Sequence, residues 1–349
     1  MSALIRRTAM PVAAGLLLLL PGQALADDTL PGGGTQNPPG HHEKGSATDD
    51  GKLSAEAGAV VYDRPKNGSG GKVGAVTPTG NWTPPPCWYA PKYTPAQLQK
   101  EREPIWEAES TGYQWDAQQR DRYVNGKPYK DFNKDKTGKG YWWDSYIPDG
   151  REAEPGAFDC DKETFWVDKG DPPPADIPEA VTPEVLAKLA YAEIRVPGTK
   201  VTLAPKGNTT KVNLPTWAWL NKAEFKPVSV TASVPVLNIQ ATTTAEPISL
   251  KIDPGTKDAA IYPTSGVCPL NTKTDQIGEP YTKGKSHETP PCGVRYLRSS
   301  GDGTFPLKAT VTWKIHWTGT GVNEEKPLPD GEFGADQNVV VQEVQAVNR

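Results

Sequence analysis

The stretch Leu307-Lys308-Ala309-Thr310-Val311-Thr312-Trp313-Lys314-Ile315-His316-Trp317-Thr318 alternates apolar and polar side chains without a break. This period of two predicts a β-strand with one buried face and one face toward solvent. Similar but shorter patterns predict strands over 201–203, 228–234, 237–241, 248–252 and 339–347. A change of phase at Val236 and Leu237, beside Pro235, predicts a bulge or a strand that changes sheet. These strands predict a mainly β chain whose residues 200–349 form an antiparallel β-sandwich.

The preceding region, residues 81–170, is rich in aromatic residues, and its local patterns predict short helices in an otherwise helix-poor domain. Its tryptophans are Trp82, Trp88, Trp106, Trp115, Trp142, Trp143 and Trp166. Thr94-Pro95-Ala96-Gln97 predicts a helix start, with Thr94 as N-cap and Gln97 closing a capping box. Pro104 is expected to limit or kink that helix, and a second helix is expected over 115–124. We expect the aromatic rings to form the core of a small domain.

Residues 171–199 join the two regions. A proline-rich joint, Asp171-Pro172-Pro173-Pro174, is followed by Thr182-Pro183, which predicts an N-cap and a first helical position. Val185, Leu186, Leu189 and Ile194 then form an apolar stripe suited to docking on a sheet.

The N-terminal 26 residues have the three zones of a secretory signal peptide. Arg6 and Arg7 precede an apolar run too short to span a bilayer, and small residues at Ala24 and Ala26 predict cleavage after Ala26. We therefore expect a secreted, extracellular protein with no membrane span after cleavage. Residues 27–80 are rich in Gly, Pro and polar residues, which predicts a disordered linker with at most one strand near 57–62.

Removing the signal peptide deletes two arginines and no acid, so the formal charge changes from −4 to −6. An acidic chain without a basic patch argues against a nucleic-acid partner. The four cysteines, Cys87, Cys160, Cys268 and Cys292, form no C-x-x-C pair, and in an exported chain they predict disulfides. Three connectivities are open, and we favour Cys87 with Cys160 and Cys268 with Cys292 because each pair then lies within one region.

Two strings in the C-terminal half carry a family resemblance. Leu214-Pro215-Thr216-Trp217-Ala218-Trp219 and Trp313-Lys314-Ile315-His316-Trp317-Thr318-Gly319-Thr320-Gly321 resemble a group of exported actinobacterial proteins. That group contains an immunoglobulin-like sandwich similar to the polycystic-kidney-disease (PKD) repeat, and the resemblance covers the chain from about residue 180. It implies an extracellular, non-catalytic module without a known ligand. The Gly-Asp-Gly turn of the PKD repeat is replaced here by Asp253-Pro254-Gly255, another competent turn.

Two weak candidate sites lie in the Trp-rich region. Trp142 and Trp143, with Tyr141 and Tyr146, offer a sugar-stacking surface, although such rings more often form a core. Asp131, Asn133 and Asp135 alternate as calcium ligands do, but Lys136 and Trp142 occupy the positions where an EF-hand needs Gly and Glu. No metal or cofactor is therefore expected.

No catalytic motif stands out, so we expect a non-enzymatic protein. Its predicted role is surface association or recognition of another extracellular protein. Two alternatives remain open at this point: a carbohydrate- or cell-wall-binding module that uses the Trp-rich region, and an extracellular hydrolase without a recognised motif.

Overall fold

The computed structural model describes residues 60–64, 73–108, 111–148 and 150–344. All of them belong to one compact unit, Gln36–Arg349. The predicted signal peptide 1–26, its cleavage after Ala26 and residues 27–59 of the predicted linker lie outside the described residues.

The described part of the chain is mainly β, with antiparallel pairing in all but one pair of strands. The strands are β1 Val61–Asp63, β2 Val73–Ala75, β3 Thr77–Pro78, β4 Trp88–Tyr93, β5 Gly140–Tyr146, β6 Phe165–Asp168, β7 Arg195–Pro197, β8 Thr202–Ala204, β9 Thr209–Lys211, β10 Thr216–Trp219, β11 Val228–Val234, β12 Ile239–Asp253, β13 Ala259–Tyr262, β14 Val267–Asn271, β15 Gln276–Ile277, β16 Gly293–Tyr296, β17 Phe305–Gly319 and β18 Val322–Gln342. The α-helices are α1 Pro95–Glu107, α2 Tyr113–Tyr123 and α3 Pro183–Ala192, and short 3-10 helices cover Asp131–Lys136 and Pro235–Leu237.

A long antiparallel sheet forms the first layer, with strand order β1-β11-β12-β17-β18-β3. The alternating stretch in β17 behaves as predicted, because its apolar residues are all buried and the residues between them are exposed or half-buried. One face of this sheet is therefore core and the other is polar, as an antiparallel sheet allows.

The second layer covers the apolar face with a four-stranded sheet, β13-β16-β10-β8, and with α3. Tyr296 of β16 stacks on Phe305 of β17 with ring centroids 5.3 Å apart. Thr243, in β12, donates a hydrogen bond of 2.8 Å to the carbonyl of Ala187 in α3. The chain thus has the predicted sandwich architecture, with a helix sharing the second layer.

The prediction of a bulge or a change of sheet at Val236 and Leu237 is wrong. Residues Pro235–Leu237 form a tight 3-10 connection between β11 and β12, with Asn238 in the left-handed conformation. The predicted strands 237–241 and 248–252, apart from residues 237 and 238, lie in the single strand β12, whose bulge lies between Pro247 and Ser249. Proline lacks an N–H for the ladder, so a bulge at Pro247 keeps the strand continuous.

The Trp-rich region contains the sheet β4-β5-β6 with α1 and α2 beside it. Thr94 caps α1 through the predicted capping box with Gln97, and Thr182 caps α3. Pro104 does not end α1, which continues to Glu107. Both predicted disulfides are present, Cys87–Cys160 and Cys268–Cys292.

Part of the predicted linker is ordered. β1 pairs with β11, β2 with β7 and β3 with β18. β1 overlaps the single strand predicted near 57–62. The prediction of disorder is wrong for 73–80, because edge strands gain their stability from backbone pairing with the body rather than from their own apolar content.

Candidate functional site

The predicted sugar-stacking residues are core residues. Trp142 is 0 %, Trp143 2 % and Tyr146 2 % exposed, while Tyr141 is half-buried. Neighbouring residues in a strand point to opposite faces, so Trp142 and Trp143 enter different clusters. Trp142 meets the rings of Tyr129, Trp166 and Tyr123 edge-on. Trp142, Trp143 and Tyr146 are thus buried where a stacking surface needs exposed rings, and Tyr141 packs against the core from a half-buried position.

The calcium candidates do not form an open site. The Asp131 Oδ1 atom lies 2.9 Å from Lys134 Nζ, Asn133 is buried, and Asp135 is exposed. Within residues that the structure describes, no group of three acidic, His or Cys side chains could hold a metal ion.

The Trp-rich region contains a buried ion pair. Lys92, in β4, donates a 3.0 Å hydrogen bond to the carbonyl of Ser145 and lies 3.6 Å from Asp144 Oδ2. Burial lowers the pKa of Lys92, and the Asp144 carboxylate opposes that shift. Both side chains are less than a tenth exposed, so this pair supports the sheet β4-β5 and is closed to a ligand.

The candidate site lies on the opposite face of β10 from the main core. Ala218 is fully buried in the core between the two layers, so Trp217 and Trp219 point away from it, on the outer face. Trp217 is 2 % exposed, whereas Trp219 is half-buried. One of two tryptophans on the same face is therefore covered and the other is open.

The cover over Trp217 is the segment 278–292, called here the pinned loop. The Tyr281 ring meets Trp217 edge-on with centroids 5.9 Å apart, and Lys285 Nζ lies 5.3 Å from the Trp217 ring centroid. Lys285 is held in place by Glu279, whose Oε1 accepts a hydrogen bond of 2.7 Å. That hydrogen bond raises the pKa of Lys285.

Both ends of the pinned loop are fastened to β10 and its continuation. The N–H of Leu220 donates to the Ile277 carbonyl at 3.0 Å, and the N–H of Ala218 donates to the Cys292 carbonyl at 2.9 Å. The disulfide Cys268–Cys292 adds a covalent tie at the second end. Irregular segments of about 15 residues in compact proteins are commonly functional, and this one is held rigidly at its base.

Glycines permit this close attachment. A Cβ on Gly278 would lie 2.3 Å from the Ala218 carbonyl oxygen, and a Cβ on Gly293 would lie 2.1 Å from the Thr216 carbonyl oxygen. Gly278 also has a φ of +74°, a conformation that side chains disfavour. Each end of the pinned loop therefore requires glycine where it meets β10.

A groove of about 460 Å³ lies beside the pinned loop. Its lining residues, which define the aromatic groove, are Ala204, Pro205, Lys206, Leu214, Pro215, Trp219, Tyr281 and Ser286. The lining combines two half-buried aromatic rings with proline and aliphatic side chains. This composition is typical of a ligand-binding groove.

Another hollow, of about 530 Å³, borders the disulfide Cys268–Cys292. No aromatic ring lines it among the described residues, and Asn271, Thr274 and Glu279 make it more polar. We place the candidate site in the aromatic groove because Trp219 is fixed in the strand β10 and Tyr281 is fixed in the pinned loop.

Comparison with known proteins yields no matching family model, no matching curated protein and no matching solved structure. The resemblance to exported actinobacterial proteins with a PKD-like sandwich therefore stays a prediction. Among the helices that the structure describes, none has the length and apolar character of a membrane span.

The sequence predictions named none of the residues of the aromatic groove as a site. A usable signal was present, because Trp217 and Trp219 are two residues apart and would share a face of any strand that contained them. The second signal was the proline-rich segment closed by Cys268–Cys292, since loops with a fixed base commonly carry function.

Proposed function

We propose that this protein is a secreted, non-enzymatic recognition protein that binds its ligand in the aromatic groove. The observation that carries the proposal is that Trp219, on a sheet strand, and Tyr281, on a loop fastened at both ends, line the same groove. Rigid aromatic anchors supply large contact area at a low cost in side-chain entropy.

The extracellular part of the proposal rests on two supports. One is the signal-peptide pattern of residues 1–26, with cleavage after Ala26. The other is the pair of disulfides, which leaves no free cysteine among the described residues. Disulfides persist mainly in oxidising compartments, and the resemblance to exported actinobacterial proteins agrees with this location.

The non-enzymatic part rests on the chemistry of the groove. Its described lining contains no carboxylate, histidine or cysteine side chain, and general acid–base or covalent catalysis most often uses such groups. The buried ion pair of Lys92 and Asp144 lies elsewhere, in the Trp-rich region.

The test is a binding screen with matched variants. Purified protein is exposed to arrays of extended peptides and of cell-wall and plant glycans, alongside Trp219→Ala and Tyr113→Ala. Tyr113 is 84 % exposed on α2 and serves as the control for loss of a surface ring. We expect at least one binder that is lost in Trp219→Ala and retained in Tyr113→Ala.

Two results contradict the proposal. Binding that survives in Trp219→Ala would place the ligand elsewhere. Release of hydrolysis products from any arrayed peptide or glycan would identify the protein as an enzyme.

A further inference from the structure

We infer that the aromatic groove binds a proline-rich segment of another protein in the polyproline II conformation. This inference rests on the proposed function and names the ligand class of the same site. The hydrogen-bonding groups of the groove lining differ from those that a sugar or a charged ligand needs.

The polar side-chain groups of the aromatic groove all can donate hydrogen bonds. They are the indole N–H of Trp219, the hydroxyls of Tyr281 and Ser286 and the ammonium of Lys206. No hydrogen bond within the described part of the chain engages any of these four groups. The groove thus presents free donors on an otherwise apolar wall.

A polyproline II segment is the complementary ligand. Its backbone carbonyls point outward and accept hydrogen bonds, while each proline lacks an N–H donor. Grooves lined by aromatic rings bind such segments because the extended helix is already formed and loses little entropy on binding. Proline rings also pack well on the apolar walls that Pro205, Pro215 and Leu214 provide.

Other ligand classes fit less well. A sugar ring presents several hydroxyls that need acceptors as well as donors, and the described lining has no carboxylate or carboxamide side chain. An acidic ligand would need more than the single ammonium of Lys206, because the ammonium of Lys285 is already paired with Glu279. An extended peptide without proline would bring one N–H group per residue to a lining whose side-chain acceptors are the hydroxyl oxygens of Tyr281 and Ser286 alone.

The supports of the groove also suit an extended ligand. Trp219 is fixed in β10, which pairs with both β8 and β16, and Tyr281 is fixed against Trp217. Because neither ring has to be ordered by the ligand, binding has a low entropic cost.

The test is calorimetric titration of the full mature chain with decaproline blocked at both ends. We expect saturable binding that falls at least about tenfold in Trp219→Ala, the size of a hot-spot loss. Tyr281→Phe removes one donor and keeps the ring against Trp217, so a fall of about fivefold is expected. Tyr113→Ala is expected to bind as the parent protein does, and circular dichroism of each variant checks folding.

Parallel titrations with cellohexaose and with a Gly-Ser decapeptide separate the two proposals. If decaproline gives no saturable heat while cellohexaose or the Gly-Ser peptide binds in a Trp219-dependent way, the ligand class is wrong and the proposed function stands. If decaproline binds equally well to Trp219→Ala, the groove is not the site and both are wrong. Self-association abolished by Trp219→Ala would make a second copy the occupant and would also overturn the inference.

Discussion

The tryptophan pairs of β5 and β10 differ in which faces of the strand they occupy and in their burial. Trp142 and Trp143 are adjacent, point to opposite faces and are both buried. Trp217 and Trp219 are two residues apart and share the outer face of β10, where the pinned loop covers one and leaves the other half-exposed. Spacing within a strand therefore decides whether an aromatic pair divides between two cores or lines one surface.

The largest expected effect is a difference in stability between the two pairs. Trp142→Ala removes a fully buried ring that touches three other aromatic rings, and should lower the free energy of unfolding by about 3–5 kcal/mol. Trp219→Ala removes a half-exposed ring and should cost about 1 kcal/mol or less. Urea denaturation of both variants measures the contrast. Equal losses would mean that Trp219 is a core residue and not a ligand contact.

Next in size is the loss of the disulfide under the pinned loop. In the entropic model, removing Cys268–Cys292, with a sequence separation of 24, costs about 3.5 kcal/mol. Removing Cys87–Cys160, with a separation of 73, costs about 4.4 kcal/mol. We expect double serine variants of both pairs to unfold at lower urea concentration, but only the Cys268/Cys292 variant to lose ligand binding. Loss of binding in both variants would show that the aromatic groove depends on the Trp-rich region.

The attachment of the pinned loop can be tested by a pair of glycine substitutions. Gly278→Ala adds both left-handed strain and a clash with the Ala218 carbonyl, whereas Gly284→Ala, at φ +106°, adds strain with no atom within 4 Å of the new Cβ. The expected costs are about 2–3 kcal/mol and about 1 kcal/mol, respectively. Thermal denaturation compares them. If the two variants have the same melting temperature, the close approach of Gly278 to β10 contributes nothing to stability.

The smallest expected effect concerns pH. Burial raises the pKa of Tyr89, in β4, to about 12 from an ordinary value of 10.0. The folded protein therefore holds this proton more tightly than the unfolded chain, and its contribution is complete below pH 10 and is lost as the pH rises toward 12. The loss should reach about 2 kcal/mol.

Urea midpoints between pH 9 and pH 12 measure how stability falls with pH, with Tyr89→Phe as the comparison. The variant loses the hydrogen bond that Tyr89 accepts from the Lys162 N–H, which lowers its stability at every pH. Its decline between pH 10 and pH 12 should nevertheless be shallower than that of the parent protein. Identical slopes would show that Tyr89 ionises freely in the folded state.

Much of the fold could be predicted from local sequence. The alternation in β17, the caps at Thr94 and Thr182 and both disulfides follow from short-range patterns and cysteine spacing. The continuity of β12 through Pro247 could not be predicted, because a bulge depends on the register of the neighbouring strand β17. The edge strands β2 and β3 were missed for a related reason, since their stability comes from partners far away in the chain.

The site was harder to predict than the fold. The number of aromatic residues pointed to the Trp-rich region, where most of the rings are buried in the core. The aromatic groove joins Pro205, Trp219 and Ser286 from three separate segments, and no single stretch of sequence contains it. Only the shared face of Trp217 and Trp219 could have indicated its floor before the structure was known.

The fastening of the pinned loop at both ends also bears on how the surface can diversify. Since residues 278 and 292 are fixed next to one strand, changes of length between them can be accommodated outside the sheets, and each doubling of loop length adds only about 0.6 kcal/mol of closure entropy. The β body can therefore serve as a constant frame for exchangeable loops, so that homologous chains can acquire new specificities without redesigning their interior.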